Sequence, residues 1–184
     1  MKKVAICKFE DLIGKEDAIS VKTMLKIEKL KKEKYLLLVH SKMSIEDLLY
    51  YNKDFPFIDY IINEKGYYIY DVKKNKKIIN NRINKKIINK FYKLLDKYNI
   101  KFIGENGIIK EGIIKDEDVY EINIINNNIE LDNLSLNIRK DNKKIIITNI
   151  ELSYDNLLKE LYLKLKINEK NIIYLTKNKI NELD

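Results

Sequence analysis

The run YLLLVHS at residues 35–41 limits the fold more than any other stretch of this chain. Its apolar residues are continuous rather than alternating, which is the pattern of a parallel strand covered on both faces. A parallel strand has to be reached by a crossover from another strand, usually through a helix. The preceding residues supply both. KKVAIC is a short β-rich apolar run, the polar loop KFEDLIGKEDAIS follows it, and Ser20 is placed to cap VKTMLKIEKLKKEK. In that segment Val21, Met24, Leu25, Ile27 and Leu30 recur near helical spacing. Strand, helix and strand in succession form a βαβ unit, so the predicted class is α/β with a parallel sheet.

Further along, SIEDLLYYN predicts a second helix capped by Ser44. FIDYIINEKGYYIYDVKKNKKIINNRI predicts a strand, a turn around Gly66 and a hairpin turning near KKNKK. The pattern then changes. NKKIINKFYKLLDKYN predicts an amphipathic helix with Ile87, Ile88, Phe91, Leu94 and Leu95 on one side. IKFIGENGIIKEGIIKDED predicts a loop-rich stretch, VYEINII a strand, and LSLNIRKDNKKIIITNIEL a hairpin around Asp141 and Asn142. SYDNLLKELYLKLKI, capped by Ser153, returns to helix, NIIYL to a buried strand, and TKNKINELD to a loop. The expected organisation is a core from residues 1–82 and 149–184, with a small α+β cap inserted at 83–148. The abundant Lys, Asn and Ile is compositional rather than a repeat.

The formal net charge is +8, and Arg82 and Arg139 are the only arginines. Lysine lacks the bidentate fork with which guanidinium reads bases and phosphates, so the charge argues solubility and non-specific attraction before specific nucleic-acid recognition. One cysteine excludes an internal disulfide and fits a reducing compartment. One cysteine and one histidine build no zinc site without acids. The N-terminal MKKVAICKFEDLIGKED has too short an apolar stretch for a signal peptide or membrane span, so a cytoplasmic location is expected.

The order of elements, with VAICKFEDLI, YLLLVHSKM, the YIINEKGYYIYD turn, IIITNIELSYDNLLKELYLKL and INEKNIIYLTKNKINEL, resembles the haloacid dehalogenase superfamily. The likeness is to its Cof-type sugar-phosphate phosphatases, which carry a large inserted cap. That family's first motif is Asp-x-Asp-Gly-Thr, where the first Asp attacks phosphorus and the second serves as acid and base. The resemblance puts Cys7 and Phe9 at those two positions, with Lys8 between them and Glu10 and Asp11 after. The second motif, a Thr or Ser, corresponds to His40, Ser41 and Lys42. The third, a lysine, corresponds to Tyr154. The fourth, Gly-Asp-x-x-Asn-Asp, corresponds to residues 174–179, where Asn178 is retained and Lys179 replaces an acid.

The family uses magnesium, which takes hard oxygen ligands, and the motif carboxylates that would supply them are absent. The resemblance therefore implies a phosphatase-like fold without the hydrolase, hence no cofactor. Its crevice, bordered by Lys8, Lys42 and Lys179, would take a small anionic or phosphorylated ligand. The chain also stops soon after the fourth motif, which leaves the strand near Asn171 to Leu175 at a sheet edge. That edge could pair with a second copy or a protein partner.

Other chemistry remains open on the residues alone. Cys7 and His40 would end neighbouring strands and could make a nucleophilic pair, or be a buried thiol and a drifted histidine. Glu10 and Asp11 are either a shifted metal pair or solvated acids. Tyr67, Tyr68 and Tyr70 near Lys65, Lys73 and Lys74 could stack bases in a basic RNA-associated module, or pack as ordinary strand residues. GENG at 104–107 matches a nucleic-acid-clamping loop in letters only. A phosphatase working through unrecognised residues is the third functional alternative.

Overall fold

The computed structural model describes residues 2–14, 18–110, 112, 114, 117–125, 136–141, 144–177 and 179. The chain divides into two compact units, Met1–Asn80 with Ser153–Asp184, and Asn81–Leu152. Among the described residues no helix is long and apolar enough to cross a membrane.

The first unit holds β1 (Lys3–Lys8), α1 (Phe9–Leu12), α2 (Val21–Lys32), β2 (Tyr35–Ser41), α3 (Ile45–Asp54), β3 (Tyr60–Asn63), β4 (Tyr68–Asp71) and β5 (Lys76–Asn80). Late in the chain, α5 (Tyr154–Leu165) and β11 (Ile172–Leu175) complete it. Its six-stranded sheet runs β11-β1-β2-β3-β4-β5. β11, β1, β2 and β3 are mutually parallel, and β4 and β5 add an antiparallel edge. YLLLVHS is the parallel strand β2, with Leu37, Leu38 and Val39 all buried. It needs apolar residues on both faces because helices lie on both. On one face Val4, Ile6, Leu38 and Ile62 pack with Leu157, Leu158 and Leu161 of α5. Alternation puts Ala5, Cys7, Leu37 and Val39 on the other face, where α2 lies against β2. The Ser20, Ser44 and Ser153 hydroxyls each accept a backbone N–H three residues on, as N-caps do.

The second unit holds α4 (Lys85–Tyr92), β6 (Asn99–Gly104), β7 (Gly107–Ile108), β8 (Glu121–Ile125), β9 (Asn137–Asp141) and β10 (Lys144–Thr148). The five strands form an antiparallel sheet in the order β7-β6-β8-β10-β9. Ile88 and Phe91 of α4 bury against Ile100, Phe102, Ile122, Ile124, Ile145 and Ile147.

Three local expectations need correction. The polar stretch after β1 is a helical turn rather than a loop, because Phe9 and Leu12, three residues apart, share one buried face. The expected loop from residue 100 begins with a strand, β6, that folds back as a hairpin with β7. Its alternating Ile100 and Phe102 are buried, which is the strand signal that the neighbouring glycines obscured. NIIYL is only half-covered: Leu175 is buried but Tyr174 is 50% exposed. β11 pairs with β1 alone and lies at one edge of the described sheet, so one flank has no strand to cover it.

Candidate functional site at the strand ends

Parallel α/β sheets place their ligands beyond the carboxyl ends of the strands. Here those ends belong to β1, β2 and β3. Lys8 and His40 are register partners, so they extend the same rows as Val4–Ile6 and Leu36–Leu38, on the face covered by α5. Glu64 lies two residues beyond Ile62 and continues the β3 row. Its backbone N–H donates to the Ser41 carbonyl across 3.3 Å, which ties the end of β3 to the end of β2.

The turn that carries Glu64 depends on Gly66. Its φ is +84°, and a Cβ there would come within 2.6 Å of the Ser153 nitrogen. Only glycine allows the turn to lie that close to the start of α5. Ser153 caps that helix, so Tyr154 opens it and lays its ring 4.9 Å from the His40 ring.

These four side chains form one cluster. Glu64 Oε1 lies 3.0 Å from His40 Nδ1 and 3.8 Å from Lys8 Nζ. The His40 and Glu64 side chains are 22% and 16% exposed, whereas Lys8 is 42% exposed, so the carboxylate lies behind the ammonium. The Tyr154 hydroxyl is buried with no hydrogen-bond partner. Burial, then the charges of Tyr174, Cys7, Asp155 and Glu64, holds its phenol well above the ordinary range.

The other face of the same strand ends is different in character. Cys7 is buried, and its thiol points to the Leu38 carbonyl at 3.9 Å. Burial first and the Asp11 charge second push that thiol far above its usual range, so it stays protonated. Cys7 is level with Val39 in the register, one step from His40 and on the opposite face. The Cys7–His40 pair is therefore not formed. Phe9 is fully buried and packs edge-on against Tyr51. Ser41 donates from its hydroxyl to Glu10 Oε1 across 3.1 Å, while Glu10 Oε2 is buried without a partner. Glu10 is thus folded onto the sheet end rather than solvated.

A sequence profile of the haloacid dehalogenase-like hydrolases matches residues 12–183. The chain belongs to that family. No curated protein matches it. Its fold is similar to that of BT1666 from Bacteroides thetaiotaomicron, a phosphatase of the superfamily, at 11% identity and TM-score 0.62, covering 95% of this chain and 76% of that one. It is similar to the subclass IIB sugar phosphatase BT4131 at 12% identity and TM-score 0.56, over 94% and 80% of the two chains. A haloacid dehalogenase-like hydrolase from B. subtilis is similar at 11% identity and TM-score 0.56, over 98% and 86%.

Within this haloacid dehalogenase-like chain, Lys8, His40 and Tyr154 come together and are joined by Glu64, which the sequence marked only as part of a turn. Its signal was the two-residue step from Ile62 along the α5 face. Cys7 and Phe9 turn into the core. Ser41 is buried and engaged by Glu10, whereas Lys42 is exposed. Lys179 is exposed, with its backbone N–H on the Thr176 hydroxyl at 3.4 Å, and Asn178 lies outside the described residues. The family's magnesium does not fit the residues present. Cys7 and Phe9, at the end of β1 and the start of α1, are a buried thiol and a buried phenyl ring that offer no hard oxygen ligand, and Glu64 and Glu10 are engaged with His40 and Ser41. Among the described residues no three His, Cys, Asp or Glu side chains gather as a metal site.

The base-stacking reading of the tyrosines fails on burial: Tyr67, Tyr68 and Tyr70 are 1%, 0% and 8% exposed. Lys65 and Lys77 lie over the rings of Tyr67 and Tyr68, at 5.5 and 4.6 Å from the centroids. Bases cannot reach those faces.

Proposed function

We propose that this haloacid dehalogenase-like protein has lost phosphate-ester hydrolysis and uses its strand-end crevice to bind a small phosphorylated ligand. The observation that carries the first half is Phe9. The resemblance assigns the acid–base carboxylate to this residue, and a fully buried phenyl ring can neither move a proton nor ligate magnesium. Cys7 gives no substitute, because its buried thiol is held in the neutral form. Lys8 and Lys42, both exposed to solvent at the ends of β1 and β2, support the second half, since a phosphate would find cations there. The sugar phosphatase among the structural relatives makes sugar phosphates the first ligands to test. A lone buried cysteine suits a reducing compartment such as the cytoplasm.

The test is phosphate release from a panel of sugar and nucleotide monophosphates with magnesium present, run beside calorimetric titration of the same compounds. Binding without release is the expected result. Magnesium-dependent turnover would overturn the loss of chemistry, and absence of binding across the panel would overturn the ligand.

A further inference from the structure

The cluster at the strand ends already contains an anion. Glu64 Oε1 sits 3.0 Å from His40 Nδ1 and 3.8 Å from Lys8 Nζ, so one carboxylate engages both side chains that end the α5-facing rows of β1 and β2. Among the described residues Glu64 is the acid that reaches them; Glu10 turns to Ser41 on the opposite face. The carboxylate is held from behind as well. The Glu64 backbone is bonded to the Ser41 carbonyl, and the following turn is fixed by Asn63, whose side-chain oxygen accepts the Lys65 N–H at 3.0 Å.

We propose that Glu64 determines the affinity and charge selectivity of this site by acting as a built-in counter-anion. This rests on the phosphorylated-ligand reading above. A phosphate approaching Lys8 from solvent competes with Glu64 for it and is repelled by the carboxylate it does not displace. The site therefore takes a monoanionic group more readily than a dianionic one.

The experiment is calorimetric titration of a sugar monophosphate and of inorganic phosphate into the wild-type chain, Glu64→Gln and Glu64→Gln/Lys8→Gln. Partly exposed charge pairs are worth up to about 1 kcal/mol, so Glu64→Gln is expected to bind roughly fivefold tighter. The gain should vanish in the double variant and should be larger near pH 8 than near pH 5.5, where phosphate is mostly monoanionic. Glu64→Asp, which keeps the charge but withdraws it by one methylene, gives a smaller gain and serves if the Gln variant does not fold. Unchanged affinity in folded Glu64 variants, beside a wild type that binds, overturns the counter-anion and leaves the ligand reading standing. No binding by folded wild type or by any folded variant overturns both.

Discussion

The ring of Phe9 meets the ring of Tyr51 edge-on, with centroids 5.0 Å apart and planes inclined at 60°. This contact joins the turn after β1 to α3, at the residue that the proposed loss of chemistry turns on. Phe9→Asp therefore does not rebuild a phosphatase. It buries an unpaired carboxylate and opens a cavity. Core Phe→Ala changes cost about 3–5 kcal/mol, and the Asp variant should lose at least as much. Urea denaturation reads the loss; an Asp variant as stable as the parent would show that the position is not core.

Cys7 should resist modification. Its thiol is buried and held neutral by burial and by the Asp11 charge. At neutral pH a small alkylating reagent should label it only as fast as the first unit opens, and labelling should accelerate in parallel with unfolding in denaturant. Rapid labelling of the folded chain would restore a reactive cysteine.

Gly66→Ala should destabilise the first unit more than an ordinary surface change. The new Cβ would sit 2.6 Å from the Ser153 nitrogen and 3.0 Å from its carbonyl carbon and oxygen, all backbone atoms that cannot turn aside. A positive φ of +84° adds strain for any side chain. Strain of this kind costs about 1–3 kcal/mol, and relief would shift Glu64 away from His40. Thermal melting tests the first effect. A histidine NMR signal that stays put in the variant would count against the second.

Alkaline pH should weaken the fold through tyrosine. Burial, with Tyr174 close by, holds the Tyr154 and Tyr162 phenols above their ordinary value of about 10. The folded chain keeps protons that the unfolded chain has released, so their contribution is full below about pH 10 and falls as pH rises beyond it. Melting temperatures between pH 8 and 11 should decline above pH 10, and Tyr162→Phe should decline less. An identical decline in both would remove Tyr162 from the account.

Much of this fold was legible locally. The unbroken apolar run of β2, the serine caps of three helices and the glycine turn each depend on a few neighbouring residues, and each formed. Glycines 104 and 107 hid a hairpin, although Ile100 and Phe102 alternate along β6 as a strand's buried residues do. The site was harder. Motif spacing singled out Lys8, His40 and Tyr154, but spacing carries no information about which face of the sheet a side chain takes once the backbone turns.

By itself, the sequence determined that this is an α/β chain built on a parallel sheet, because pattern is a property of the chain alone. Only the tertiary structure decided that Cys7 and His40 lie on opposite faces, that Phe9 is core, and that Glu64 joins His40 and Lys8. Those outcomes depend on strand register and on a close backbone approach between residues 66 and 153, which are far apart in sequence and meet only when the sheet and α5 pack together.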